Sequence, residues 1–201
     1  MPLIETAPAL LILWAVIGYL LGSIPFGMVL TRAMGLGNLR EIGSGNIGAT
    51  NVLRTGNKTA AALTLLLDGA KGAVAVLLAR SMAGEDAAQL AALTAMIGHC
   101  YPVWLRFQGG KGVATYIGVI LALAWPVGLA VCATWLVVAA SARMSSLAAL
   151  AAAAVSTIWM VLLGAATALF LGVVLTLLIF WRHRSTIARL RAGTEPKIGQ
   201  K

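Results

Sequence analysis

Residues 7–30, 59–78 and 88–105 are apolar runs close to the roughly 20 residues that carry a helix through a hydrocarbon layer, and longer ones follow at 113–142 and 147–181. A chain built from such runs cannot hide them in one water-soluble core. Hydrophobic residues make up 60% of it, charged residues 10%, and the mean hydropathy is +0.93, values that belong to integral membrane proteins. The runs are too long and too continuous for the alternating strands of an outer-membrane barrel. The expectation is an all-α, polytopic membrane protein forming one domain over residues 1–201.

Breakers within the runs set the number of crossings. Pro25, in Gly22-Ser23-Ile24-Pro25, removes a helix hydrogen bond and kinks the first run. Pro126 and Gly164 interrupt the two longest runs; read as helix pairs these give seven crossings, and read as single helices they give five. With seven, Arg32, Arg40, Arg54, Lys58, Arg106, Lys111, Arg143 and the basic residues from Arg182 to Lys201 share one side, leaving Arg80 on the other and Lys71 inside a span. The positive-inside rule favours that arrangement, with the N-terminus outside and the C-terminus cytoplasmic. The formal charge of +9 is then accounted for by orientation and contact with anionic membrane lipids, and nucleic acid is not an expected partner. Glu5 precedes the first run without a Lys or Arg, unlike a cleavable signal peptide, so this run is expected to remain as a span. Cys100 and Cys132 lack metal-ligand spacing, and neither a metal nor a cofactor is expected.

Two polar, glycine-rich stretches interrupt the apolar pattern. In 43–51, Gly43, Gly45 and Gly48 give backbone freedom, Ser44, Asn46, Thr50 and Asn51 give hydroxyl and amide groups, and Arg54 follows with a fork suited to phosphate. A capped turn between helices is the plainer reading of the same residues. In 108–115, Lys111 stands among Gly109, Gly110 and Gly112 just before an apolar run, so a helix should start near Val113 with free N–H groups facing an anion. This is not a Walker loop, because Leu105 and Gly112 occupy the positions where that pattern needs Gly and Ser or Thr. A basic loop touching headgroups is the alternative. Asp68 and Lys71 lie three apart on one helix face and either line a cavity or pair with each other. His99, alone near a helix end, reads more simply as a packing residue, and the segment 183–195 reads alone as a basic juxtamembrane helix.

Taken in order, Ser44 to Arg54, Gln108 to Thr115 and His183 to Glu195, together with Gly22-Ser23-Ile24-Pro25, Asp68-Gly69-Ala70-Lys71-Gly72 and Gly98-His99, resemble the bacterial acyl-phosphate:glycerol-3-phosphate acyltransferases, the PlsY family. The resemblance implies a seven-helix inner-membrane enzyme with its active site facing the cytoplasm. Its reaction would join glycerol 3-phosphate and a fatty acyl phosphate into 1-acyl-glycerol 3-phosphate (lysophosphatidic acid) and phosphate, the first step of membrane phospholipid synthesis. An acyl-phosphate-forming enzyme would be its functional partner. By the same resemblance Ser44 and Arg54 match an essential pair, Gly109, Gly110, Lys111 and Gly112 a phosphate-binding loop, His183 a residue needed for activity, and Glu195 a structural one. Ser146 resembles a conserved serine after the fifth helix. Thr186 stands where the family usually has Asn, keeping a hydroxyl and losing the amide's reach. Neither His99 nor His183 is followed by Asp at the spacing of the His-x4-Asp acyltransferases.

An acyl phosphate already carries a good leaving group, so positioning and charge stabilisation can suffice without an acyl-enzyme. The expected step is direct attack by the substrate hydroxyl, with the proton going to His183 or to the substrate's own phosphate. A transporter of anionic solutes and a lipid-binding scaffold are the competing classes, and the first would be expected to show repeat symmetry that this sequence lacks.

Overall fold

A computed structural model describes residues 2–199; Met1, Gln200 and Lys201, the last counted above among the inner-side cations, lie outside the described residues. Helices and short 3-10 turns, joined by irregular connections, make up the described chain, and no strand occurs among the described residues. The first run is divided at residues 23–25 into α1 (Pro8–Gly22) and α2 (Phe26–Ala33). A long polar connection then contains the short α3 (Ala49–Val52) and a 3-10 turn, Leu53–Thr55. Asn57 caps α4 (Lys58–Ala83) by accepting from the Ala60 N–H at 2.9 Å, and Gly84, at φ +111°, reverses the chain into α5 (Glu85–Cys100). A left-handed Gly112 precedes α6 (Val113–Leu123). The run 113–142 breaks at Ala124, with Pro126 in the first turn of α7 (Trp125–Ala142), where a missing N–H costs nothing. The run 147–181 also divides: α8 (Ser145–Leu162) gives way near Gly164 to α9 (Leu169–Arg182), which bends by 63° into α10 (Arg184–Arg191).

Four helical spans are long and apolar enough to cross a membrane: Pro8–Ala33, α4, α7 and α8. The bent pair ending in α10 would make a fifth. At 16 residues α5 is shorter, and at 11 residues so is α6. These two are the centre of the molecule. α5 packs against α1, α4, α6 and α9, and its face of Ala87, Ala88, Ala91, Ala92 and Ala95 is wholly buried. Small side chains let backbones approach, which is how helices associate where lipid is as apolar as leucine. A Cβ on Gly22 would overlap the Ala95 backbone, and one on Gly118 would overlap Gly69 where α6 crosses α4. Leu66, Val137, Ile158 and Leu177 remain exposed around the outside, as a lipid-facing belt requires.

Each helix end inside the bundle leaves carbonyls without partners. Arg80 donates to Ala122 O (2.5 Å) and Leu123 O (3.2 Å) at the end of α6 while paired with Glu85 (2.7 Å). The break between α1 and α2 is met from α4: the Lys71 ammonium donates to Ile24 O and to Asp68 Oδ1, both at 2.7 Å, in a site where both charged side chains are buried. Of the two roles open in sequence, Asp68 and Lys71 therefore take the pairing one. Lys71→Met should lower stability by about 3 kcal/mol or more by leaving a buried carboxylate uncompensated. The Asp68→Asn/Lys71→Met double variant should recover part of the loss. Thermal unfolding of the purified protein in nanodiscs measures both, and equal loss in single and double variants would contradict the pairing.

Candidate active site

The first glycine stretch folds around one buried carboxamide. Asn51 Nδ2 donates to Leu39 O (3.0 Å) and Asn46 O (2.7 Å), while its Oδ1 accepts from Ser44 N (3.2 Å), Ser44 Oγ (3.4 Å) and Arg54 Nη1 (3.5 Å). Both ends of the amide are thus engaged within the loop, so Asn51, expected at the substrate, is the strut that shapes the loop. Asn46 likewise turns its Oδ1 to the Ile47 N–H at 3.0 Å. Gly43, at φ +52°, lies where a Cβ would collide with the Arg54 guanidinium and with Asn51 Oδ1, so only glycine lets Arg54 cross the loop there. Ser44 and Thr50 are exposed on this surface, beside the half-buried Arg54.

The second stretch is laid against the end of α5. Gly109 N–H donates to Cys100 O and Gly110 N–H to His99 O, each at 3.0 Å. On the opposite edge Arg182 donates from Nε to Gly110 O and from Nη2 to Gly109 O, both at 3.1 Å, and Arg40 donates to Gln108 O and to Gly45 O (3.2 Å). The N–H groups of Gly109 and Gly110, expected to face an anion, are therefore taken up inside the fold. The N–H groups of Lys111, Gly112 and Val113 have no acceptor among the described residues. These sit at the amino end of α6, where the helix dipole adds to them. His99 is buried behind the loop. Its ring lies where a Cβ on Gly110 would be, and its Nδ1 is 3.8 Å from Asp68 Oδ1 without a hydrogen bond.

The bent α9–α10 segment delivers the third group of residues. Lys111 Nζ donates to Thr186 Oγ1 at 2.6 Å and Arg189 Nη2 donates to the same oxygen at 3.1 Å, with Arg189 Nε held 2.7 Å from Glu195. The hydroxyl of Thr186, fully buried, thus joins the loop lysine to the tail. Burial is the main reason the Lys111 ammonium is lowered to about 8; Arg189, Arg54 and Arg182 add to the effect and Glu195 opposes it. Lys111 accordingly lies within electrostatic reach of Arg54, Arg182, Arg189 and Glu195. His183, buried at the α9–α10 bend, sets Nδ1 2.8 Å from Ile179 O. A carbonyl only accepts, so Nδ1 carries the proton and Nε2 keeps the lone pair. Burial first, then Lys111 and Arg182, bring this imidazole down to about 4, against the opposing pull of Ile179 O and Glu195, so it is neutral at pH 7.

The structure brings Arg54, Lys111, Thr186, His183 and Glu195 toward one region, with Ser44 on its loop. Ser146 is buried in the first turn of α8, and its Oγ has no hydrogen-bond partner among the described residues. In the sequence Arg40 and Arg182 stand out only as orienting charge, whereas Arg189 falls in the segment 183–195, which offers several phosphate partners. The spacing of His183, Thr186 and Arg189 at successive helical turns is a further signal for the last of them.

The chain matches the model of the family described as glycerol-3-phosphate acyltransferase over residues 12–193. It is 71% identical to a glycerol-3-phosphate acyltransferase of Ruegeria pomeroyi, covering 100% of this chain and 99% of that protein. A protein of the same name from Roseobacter denitrificans is 66% identical, over 99% of this chain and 100% of its own. Among solved structures, the glycerol 3-phosphate form of PlsY (YgiH), an integral membrane glycerol 3-phosphate acyltransferase, superposes with a TM-score of 0.89 at 38% identity, over 94% of this chain and 96% of that one. Its lysophosphatidic acid form gives 0.86 at 36% identity, over 94% and 95% of the two chains.

The lowered Lys111 predicts that an anion held beside it would be bound less tightly at mildly alkaline pH. Below about 8 the ammonium is present in the free protein; above it each binding event must first take up a proton. Affinity for inorganic phosphate, measured by calorimetry, should therefore fall by up to about tenfold per pH unit above that point, and Lys111→Ala should flatten the dependence.

Proposed function

The chain belongs to the glycerol-3-phosphate acyltransferase family, as an integral membrane acyltransferase of the PlsY type, and from that premise we propose that it acylates glycerol 3-phosphate with a fatty acyl phosphate. The observation that carries this reading is Lys111, within electrostatic reach of Arg54 and followed by the amides that open α6, with both cations partnered only by neutral groups. Two phosphorylated reactants need more positive charge than one, and two cations with neutral partners meet that need. Membrane apposition suits a reaction in which one reactant is a lipid and the other is water-soluble.

In the proposed step the 1-hydroxyl oxygen of glycerol 3-phosphate attacks the acyl carbonyl carbon. A carbon–oxygen ester bond forms, the bond from that carbon to the phosphate oxygen breaks, and inorganic phosphate leaves with the electron pair. Arg54, Lys111 and the amides of residues 111–113 hold the phosphates and offset charge developing on the carbonyl and leaving oxygens. The hydroxyl proton passes to the substrate's own phosphate. An imidazole at about 4 is a weaker base than a phosphate dianion, whose second pKa is about 6, so His183 serves better as a neutral neighbour with its Nε2 free to accept. Direct transfer is favoured over an acyl-serine because the Ser44 hydroxyl has an amide oxygen, Asn51 Oδ1, as its partner and no base. The same reading places the site on the cytoplasmic side of the inner membrane, with seven crossings and supply of the donor by a separate acyl-phosphate-forming enzyme.

Purified protein given acyl phosphate and glycerol 3-phosphate should yield lysophosphatidic acid and phosphate in equal amounts. Arg54→Ala and Lys111→Ala should each lower kcat/KM by about 100-fold, near 3 kcal/mol. Folded protein that binds glycerol 3-phosphate yet forms no product with this donor would overturn the assignment of the donor. Ser145→Cys, in a variant otherwise free of cysteine, should react with membrane-impermeant maleimide only from the cytoplasmic side. Labelling from outside alone would refute the seven-crossing topology.

A further inference from the structure

Three successive peptide planes run through the second glycine stretch, and their two ends are held very differently. In a trans peptide the C=O of one residue and the N–H of the next point in opposite directions from the same rigid plane, and no peptide here is cis. The plane joining Gln108 to Gly109 has its oxygen on Arg40 and its N–H on Cys100 O. The plane joining Gly109 to Gly110 has its oxygen on Arg182 and its N–H on His99 O. In the third, Gly110 to Lys111, the oxygen is again on Arg182, at 3.1 Å, but the N–H has no acceptor among the described residues.

We propose that Arg182 is a positioning residue of the phosphate loop: by gripping Gly110 O it fixes the direction of the Lys111 N–H, the first free donor of the anion site. A guanidinium fits this task because its fixed fork reaches two adjacent carbonyls at once, which an ammonium does as a point charge without defined geometry. The fork is itself held flat. Its carbon lies 4.8 Å from the centre of the Tyr101 ring, and the carbonyl of Tyr101 accepts from the Tyr19 hydroxyl at 2.9 Å, tying the stack to α1. Arg182 acts through the loop rather than on a reactant. It therefore governs how well phosphate is bound more than how fast the bound acyl group moves.

The inference rests on the reading of this loop as a phosphate site, and the test separates the two. Full-length wild type, Arg182→Lys and Arg182→Gln are compared in nanodiscs for inorganic phosphate affinity, for KM of both phosphorylated substrates and kcat, and for Tm. Arg182→Lys should weaken phosphate binding, and raise KM for at least one substrate, by about tenfold, with a smaller change in kcat. Arg182→Ala should regain part of the affinity when guanidinium ion is added, and Lys111→Ala should not. Wild-type phosphate affinity and KM in both milder variants, with loss only in proportion to the unfolded fraction, would reduce Arg182 to a structural contact and overturn the proposal. Wild-type protein that binds no phosphate would remove the reading beneath it.

Discussion

Lipid offers a peptide group nothing to bond with, so each carbonyl freed where a helix stops must be satisfied by the protein itself. In this chain basic side chains do it. Lys71 meets Ile24 at the break in the first span, Arg80 meets the last carbonyls of α6, and Arg40 and Arg182 meet those of residues 108–110. Charge-assisted bonds of this kind are stronger than neutral ones, and arginine can serve two oxygens together. A good share of the positive charge is thereby absorbed by backbone. Arg54 and Lys111 are different: their partners are the neutral Asn51 and Thr186, so their charge stays available to an incoming anion.

Much of this was legible because the punctuation is strong. Proline costs a helix hydrogen bond and glycine loosens the backbone, and Pro25, Pro126 and Gly164 all fall beside real helix boundaries. The two glycine stretches stood out for the same reason, as polar residues clustered where helices cannot run. Arg54 and Lys111 could be picked out from other cations by their glycine surroundings, and Thr186 by its place after His183.

What sequence left hidden is the direction in which each peptide points. Gly109 and Gly110 look like ideal phosphate amides until α5 supplies His99 O and Cys100 O for them, an arrangement that depends on how Tyr101 and Pro102 turn the chain back on itself. Asn51 carries the polar group expected of a substrate ligand, but burial spends both its ends on the loop. The pairing of Asp68 with Lys71 is completed by a carbonyl, Ile24 O, from the helix break far earlier in the chain. The number of crossings was similarly underdetermined, since helices as short as α5 and α6 are sheltered by neighbours rather than matched to bilayer thickness.

The 63° bend after Arg182 brings a segment made late in synthesis back onto loops made early. Thr186 cannot reach Lys111, nor Arg182 the glycine carbonyls, until the final helices have left the ribosome and folded back. A nascent chain already threaded through the bilayer would hence lack these contacts until the end of translation.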